Sequence, residues 1–95
     1  MTKQDVLDLE TSDYQHRRGN YPKSGIPDTI DVTELDDSNF TVEASFKNTC
    51  EGDARDWLTD FVKEHNLKIV KHAYSWQDGD YHDDWVIASI TVALK

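Results

Sequence analysis

Cysteine is nearly absent from this chain: Cys50 is the only one in 95 residues, so no internal disulfide can form. A lone thiol suits a reducing compartment and excludes the small disulfide-stapled scaffolds. Glycine and proline are also scarce. Both prolines and two of the four glycines fall in the single run GNYPKSGIP, residues 19–27, which reads as loop. No apolar run approaches the length of about 18 residues that a membrane helix needs. The start MTKQDVLDLE has no cationic segment followed by an apolar one, so a secretory signal is not expected. Positive charge is the most consequential shortage: 10 Lys and Arg face 19 Asp and Glu, a net charge of −9. Such a surface repels phosphate backbones and anionic membranes and attracts basic proteins. Neither direct nucleic-acid binding nor membrane binding is expected, and a cytoplasmic location is.

The charge is unevenly placed. Residues 1–25 hold four acids and four bases, which cancel, leaving 15 acids against 6 bases in residues 26–95. Thus the whole excess belongs to the larger segment. The first 28 residues read as an irregular N-terminal arm leaning on the body through Tyr14, Tyr21 or Ile26. Within it, Thr2 and Asp5 have capping-box spacing ahead of Val6, Leu7 and Leu9, which suit a short helix or a strand.

Residues 29–95 read as one α+β domain. Ile30 and Val32 alternate with Asp31 and Thr33, and Asp36-Asp37-Ser38-Asn39 supplies turn chemistry. Phe40, Val42, Ala44 and Phe46 then alternate with polar residues, which predicts a half-buried strand and a hairpin. A helix is predicted from an N-cap at Thr49 to about Asn66, where Asn66 takes a left-handed conformation and Leu67 closes the end. Its apolar face is Ala54, Trp57, Leu58, Phe61, Val62 and His65, with Trp57 and Phe61 buried on the sheet. Two strands follow, near 68–77 and 84–94. The last is apolar on one face and only mildly polar on the other, as a strand is that lies centrally or is covered on its second face. The order is ββαββ: one amphipathic helix on an antiparallel or mixed four-stranded sheet.

Catalytic and metal motifs are weak. A helix N-terminus in general favours a thiolate, and His72 offers a base for Cys50. Glu51 and Asp53 flank that sulfur with opposing charge, however, and no oxyanion device is legible. Cys50 therefore reads as a semi-buried small residue, and no enzyme activity is expected. The loop Gln77–Asp84 gathers Asp78, Asp80, Asp83 and Asp84, but it lacks the order of an EF-hand and reads as a solvated hairpin tip. With one cysteine and four scattered histidines, zinc fits no better. No metal and no cofactor are expected. His72 shares a strand face with Val70, Tyr74 and Trp76, a row read as apolar and inward. Cross-strand packing accounts for Trp76 and Trp85 on either side of the loop.

The feature that stands out is a row of carboxylates on the predicted helix. Asp53, Asp56, Asp60 and Glu64 are spaced three, four and four residues apart, within about 80° of one another on a helical wheel. Asp56/Asp60 and Asp60/Glu64 are like charges at i,i+4, each weakening a helix by about 0.2–0.5 kcal/mol. Selection for stability alone would not keep both. The row, joined by the loop carboxylates Asp78, Asp80, Asp83 and Asp84, is the expected partner-binding surface. In bulk properties (small, acidic, without a catalytic motif) the chain is like phage-encoded antagonists of nucleic-acid-binding defence systems, of the anti-CRISPR or anti-restriction kind. The expectation is an inhibitor that mimics nucleic acid and works in the host cytoplasm. The competing expectation is a regulatory or structural domain that self-associates, as a homodimer for instance, through the Trp85/Ile87 face of its sheet.

Overall fold

The structure, a computed structural model, describes residues 2–10, 27, 29–47, 49–78 and 85–95. The elements run α1 (Lys3–Leu7), β1 (Thr29–Glu34), β2 (Asn39–Lys47), α2 (Glu51–Glu64), β3 (Lys68–Asp78) and β4 (Trp85–Ala93). The strands form one sheet in the order β1-β2-β4-β3, and every neighbouring pair is antiparallel. β4 is central, one of the two placements that its weakly polar second face allows. The path from β2 through α2 to β3 therefore steps over the position that β4 later fills.

Alternation decides the inner face. Phe40, Val42, Ala44 and Phe46 of β2 are all fully buried. They sit opposite Val92, Ile90, Ala88 and Val86 of β4. Ile30 and Val32 extend this face onto β1 through Ala44 and Val42. Ala44 and Ala88 form a row of small side chains that ends at Ser75 of β3. Above that row α2 anchors by polar contact. The Ser75 hydroxyl accepts from Arg55 Nη1 at 2.7 Å and donates to Glu51 Oε1 at 3.1 Å.

Ala54, Leu58, Phe61 and Val62 are the buried residues of α2, the helical stripe that the 3.6-residue period predicts. Trp57, by contrast, is half-buried. Its ring stacks on Phe61 at 5.0 Å and meets Phe46 edge-on at 5.6 Å, and Phe61 in turn meets the His65 ring at 4.6 Å. Aromatic pairs of this kind add about 0.5–1.5 kcal/mol beyond their buried area. The helix begins one residue later than Thr49: Cys50 is the N-cap, and Thr49 instead donates its hydroxyl to the Lys47 carbonyl. It ends two residues before Asn66, in a Schellman turn. Asn66 has φ 59°, its N–H donates to the Lys63 carbonyl, and Leu67 N–H reaches the Val62 carbonyl at 3.0 Å. Leu67 is buried and closes that end.

Two local devices hold the periphery. Asp36 Oδ1 accepts from the backbone N–H groups of Ser38 and Asn39, and the Asn39 amide donates to both Asp36 oxygens. These bonds, the Asn39 side-chain amide first, hold the Asp36 carboxyl below its ordinary pKa. At the other end, the Thr2/Asp5 capping box forms as its spacing suggests and starts α1. The Asp5 carboxyl is likewise lowered, first by the Thr2 backbone N–H. Val6 is fully buried in the core, and Lys3 Nζ meets Glu34 Oε1 at 2.6 Å beside it. Tyr14, Tyr21 and Ile26 lie outside the described residues.

One strand faces the other way from the sequence expectation. Val70, His72 and Tyr74 are exposed, whereas Ile69 and Ala73 pack on the core and Ser75 meets the helix. The more aromatic row of β3 is thus its outer one. Register shifts between Ile69 and Lys71 and between Lys71 and Tyr74 interrupt this edge strand. Such bulges twist an edge away from further pairing.

Phe61→Ala should cost about 3–5 kcal/mol in chemical denaturation. Trp57→Ala should cost less, about 1–3 kcal/mol, because part of its ring is already in water. Equal losses would place Trp57 in the core. At the helix end, Asn66→Gly should leave stability within about 1 kcal/mol of wild type, whereas Asn66→Val should lower it by at least about 1–2 kcal/mol. A harmless Asn66→Val would contradict the left-handed turn.

Candidate functional site

The structure places Asp53, Asp56, Asp60 and Glu64 on one helix, and all four are exposed. At 1.5 Å per residue the row is about 16 Å long, with neighbours about 4.5–6 Å apart along the axis. Among the described residues none of the four makes an ion pair. Lys63, three residues after Asp60 and also exposed, does not close on it. Arg55 points to the other flank, where it is held at Ser75.

That segregation follows from how α2 lies on the sheet. The helix sits over β3 and β4 and touches β2 only along one edge. Its Arg55/Glu51 flank faces β3, and its Trp57 flank faces Phe46 of β2. On the helical wheel the carboxylates lie next to Trp57, so the acid row runs alongside the column Trp57–Phe61–His65. Glu64 stands in the last turn, where the helix dipole disfavours negative charge, while Asp53 in the first turn is favoured. The lower half of the row is therefore held against both like-charge repulsion and the dipole.

Sequence reasoning placed Trp57 wholly in the core and so missed it as a surface feature. Its position at the margin of the apolar arc was the available signal. A half-exposed Trp beside a charge row is the type of side chain that anchors protein interfaces.

The remaining candidates separate. Cys50 is exposed rather than semi-buried, and its Sγ accepts from Asp53 N–H at 3.5 Å as the cap of α2. His72 stands exposed on β3 and shares no hydrogen bond with Cys50. Asp78 is described as the last position of β3, opposite Trp85. Asp80, Asp83 and Asp84 lie outside the described residues, so only the helix row is brought together as a surface. No group of three or more His, Cys, Asp or Glu among the described residues is placed to hold a metal ion. No helix among them is long and apolar enough to cross a membrane.

Serine caps a helix better than cysteine, so Cys50→Ser should match wild type or gain up to about 1 kcal/mol in denaturant unfolding, while Cys50→Ala should fall below Cys50→Ser. The native thiol should react fully with a disulfide reagent without denaturant. Protection of that thiol would refute the exposed cap. No family model, curated protein or solved structure matches this chain.

Proposed function

We propose that the protein is a small acidic binding protein that occupies a basic, nucleic-acid-binding surface of a partner protein and keeps nucleic acid out of it. One observation supports this reading above the rest: α2 carries four exposed carboxylates in a row without ion-pair partners among the described residues. Two i,i+4 repulsions and an unfavourable helix end are tolerated there. The axial spacing is of the order of that between backbone phosphates, so a Lys/Arg groove shaped for a nucleic-acid strand can take the row in its place. Trp57 supplies the apolar contact beside it. In this reading the protein is an inhibitor of phage type, working in the host cytoplasm by steric and electrostatic occupation, without covalent chemistry. The net charge of −9 speeds encounter with such a partner through long-range steering.

The test has two stages. Basic proteins from a bacterial extract are captured on the immobilised chain, and duplex DNA or RNA is then added at constant ionic strength to displace them. Nucleic acid should release the captured partner. Asp56→Asn/Asp60→Asn should then bind the purified partner about 5–30-fold more weakly, mainly through slower association, and the difference should shrink as salt rises. The same double variant should be as stable as wild type or slightly more so, because like-charge repulsion is relieved. Unchanged affinity at low salt, or a partner that nucleic acid does not displace, would sink the proposal.

A further inference from the structure

The face of the sheet turned away from α2 has an arrangement that the proposed function does not use. Both described helices contribute their buried residues to the core on the other side. On this outer face the register lines up Asp31 of β1, Glu43 of β2, Ser89 of β4 and Tyr74 of β3 in one row across the sheet. The next row toward one end closes with Lys71 on β3, and the next toward the other end closes with Ile87 and Trp76. Tyr74 is 59% exposed and its ring stacks on Trp76 at 5.5 Å, so aromatic surface stands in solvent at a position where most sheets bury it. Negative charge marks the β1–β2 half of this face, at Asp31 and Glu43, and positive charge the β3 edge, at Lys71; Ser, Thr and Ile87 side chains lie between, and the aromatic pair Tyr74–Trp76 stands on β3 itself.

We infer that a second copy of this chain covers this face, with the two sheets stacked about a two-fold axis parallel to the strands. The charge pattern selects that axis. Rotation about it reverses the strand order, so β1 of one copy lies over β3 of the other. Asp31 then faces the partner copy's Tyr74 hydroxyl, with the Lys71 ammonium one row away and within reach of its long stem. Lys47, whose Nζ already lies 5.9 Å from the Trp85 ring centroid within one chain, faces the partner copy's Trp85 as well. An axis perpendicular to the strands would instead set Asp31 near Asp31 and Lys71 near Lys71. The contact is isologous, so each pairing occurs twice.

The available area is sufficient. Four strands about 4.8 Å apart and about 30 Å long present roughly 600 Å² per copy, or about 1,200 Å² in total, at the lower end of the range for specific interfaces. A single-stranded nucleic acid also stacks on aromatics beside lysines, but the carboxylates Asp31 and Glu43, side by side on this face, oppose a phosphate backbone here. The pairing is independent of the α2 surface: stacking leaves both helices on the outside, so the dimer displays two acid rows on opposite sides.

Sedimentation equilibrium of the full chain provides the test. Wild type should sediment at twice the chain mass, with a dissociation constant at or below about 100 μM. Asp31→Lys alone or Lys71→Glu alone should weaken association about tenfold or more, and the two together in one chain should restore it to within about threefold. Both positions are exposed and should leave the circular dichroism spectrum unchanged. Ile87→Glu should give a monomer. Asp56→Asn/Asp60→Asn should leave the dimer intact, so failure of the α2 reading and failure of this one are separable. A wild-type monomer at about 200 μM would overturn the inference. So would a double reversal no better than the single ones, or a monomer that binds single-stranded oligonucleotide through Trp76.

Discussion

One helix must cover a four-stranded sheet, and the rest of the molecule is arranged around that constraint. α2 has 14 residues and lies over β3 and β4. The row Ala44–Ala88–Ser75 lets it come close, and the Glu51–Ser75–Arg55 hydrogen bonds hold its first turns there. Placed so, it leaves the β1–β2 half of the inner face to be closed by other groups. Trp57 reaches out to Phe46 on that side, and Val6 of α1 is buried in the same core. A helix centred over the sheet would have buried Trp57. The off-centre position is what brings its ring to the surface.

The same placement sorts the charges. The helix flank against β3 carries Arg55 and Glu51, which satisfy each other through Ser75. On the opposite flank Lys63 is exposed but closes no ion pair with Asp53, Asp56, Asp60 or Glu64. Repulsion along that row costs some helix stability, and the Schellman turn at Asn66 and Leu67 together with the aromatic column Trp57–Phe61–His65 offset it. The proposed binding surface and the packing surface are thus neighbouring strips of one helix.

The chain also separates its two candidate surfaces. The helix side is acidic and nearly uniform in sign, suited to a partner of opposite charge. The outer sheet face carries carboxylates on its β1–β2 half and Lys71 beside the Tyr74–Trp76 pair on β3, a pattern that we propose suits a copy of itself. Uniform charge favours fast encounter, whereas self-complementary charge specifies an orientation.

Much of the architecture was legible in residue order alone. Alternation in β2, the 3.6-residue period of α2 and the weakly polar second face of β4 point to the ββαββ order and to a central or covered β4, because periodicity reports directly on which side of an element meets water. The acid row was legible for the same reason, since helical spacing is a property of neighbours in sequence. Three features were not. Cys50 took the cap in place of Thr49, because a cap is decided by backbone geometry within a residue or two. The aromatic row of β3 turned outward, because hydrophobicity shows that a strand has two unlike faces but not which of them the helix covers. Trp57 stayed half-exposed because the lateral position of α2 depends on Ser75, Ala88 and Phe46, residues distant in sequence. The sequence by itself therefore determined element order, periodic faces and net charge, which arise from local spacing and composition. Only the tertiary structure decided which faces remain in solvent, because that depends on how far elements slide across one another when small side chains and hydrogen bonds meet at long range.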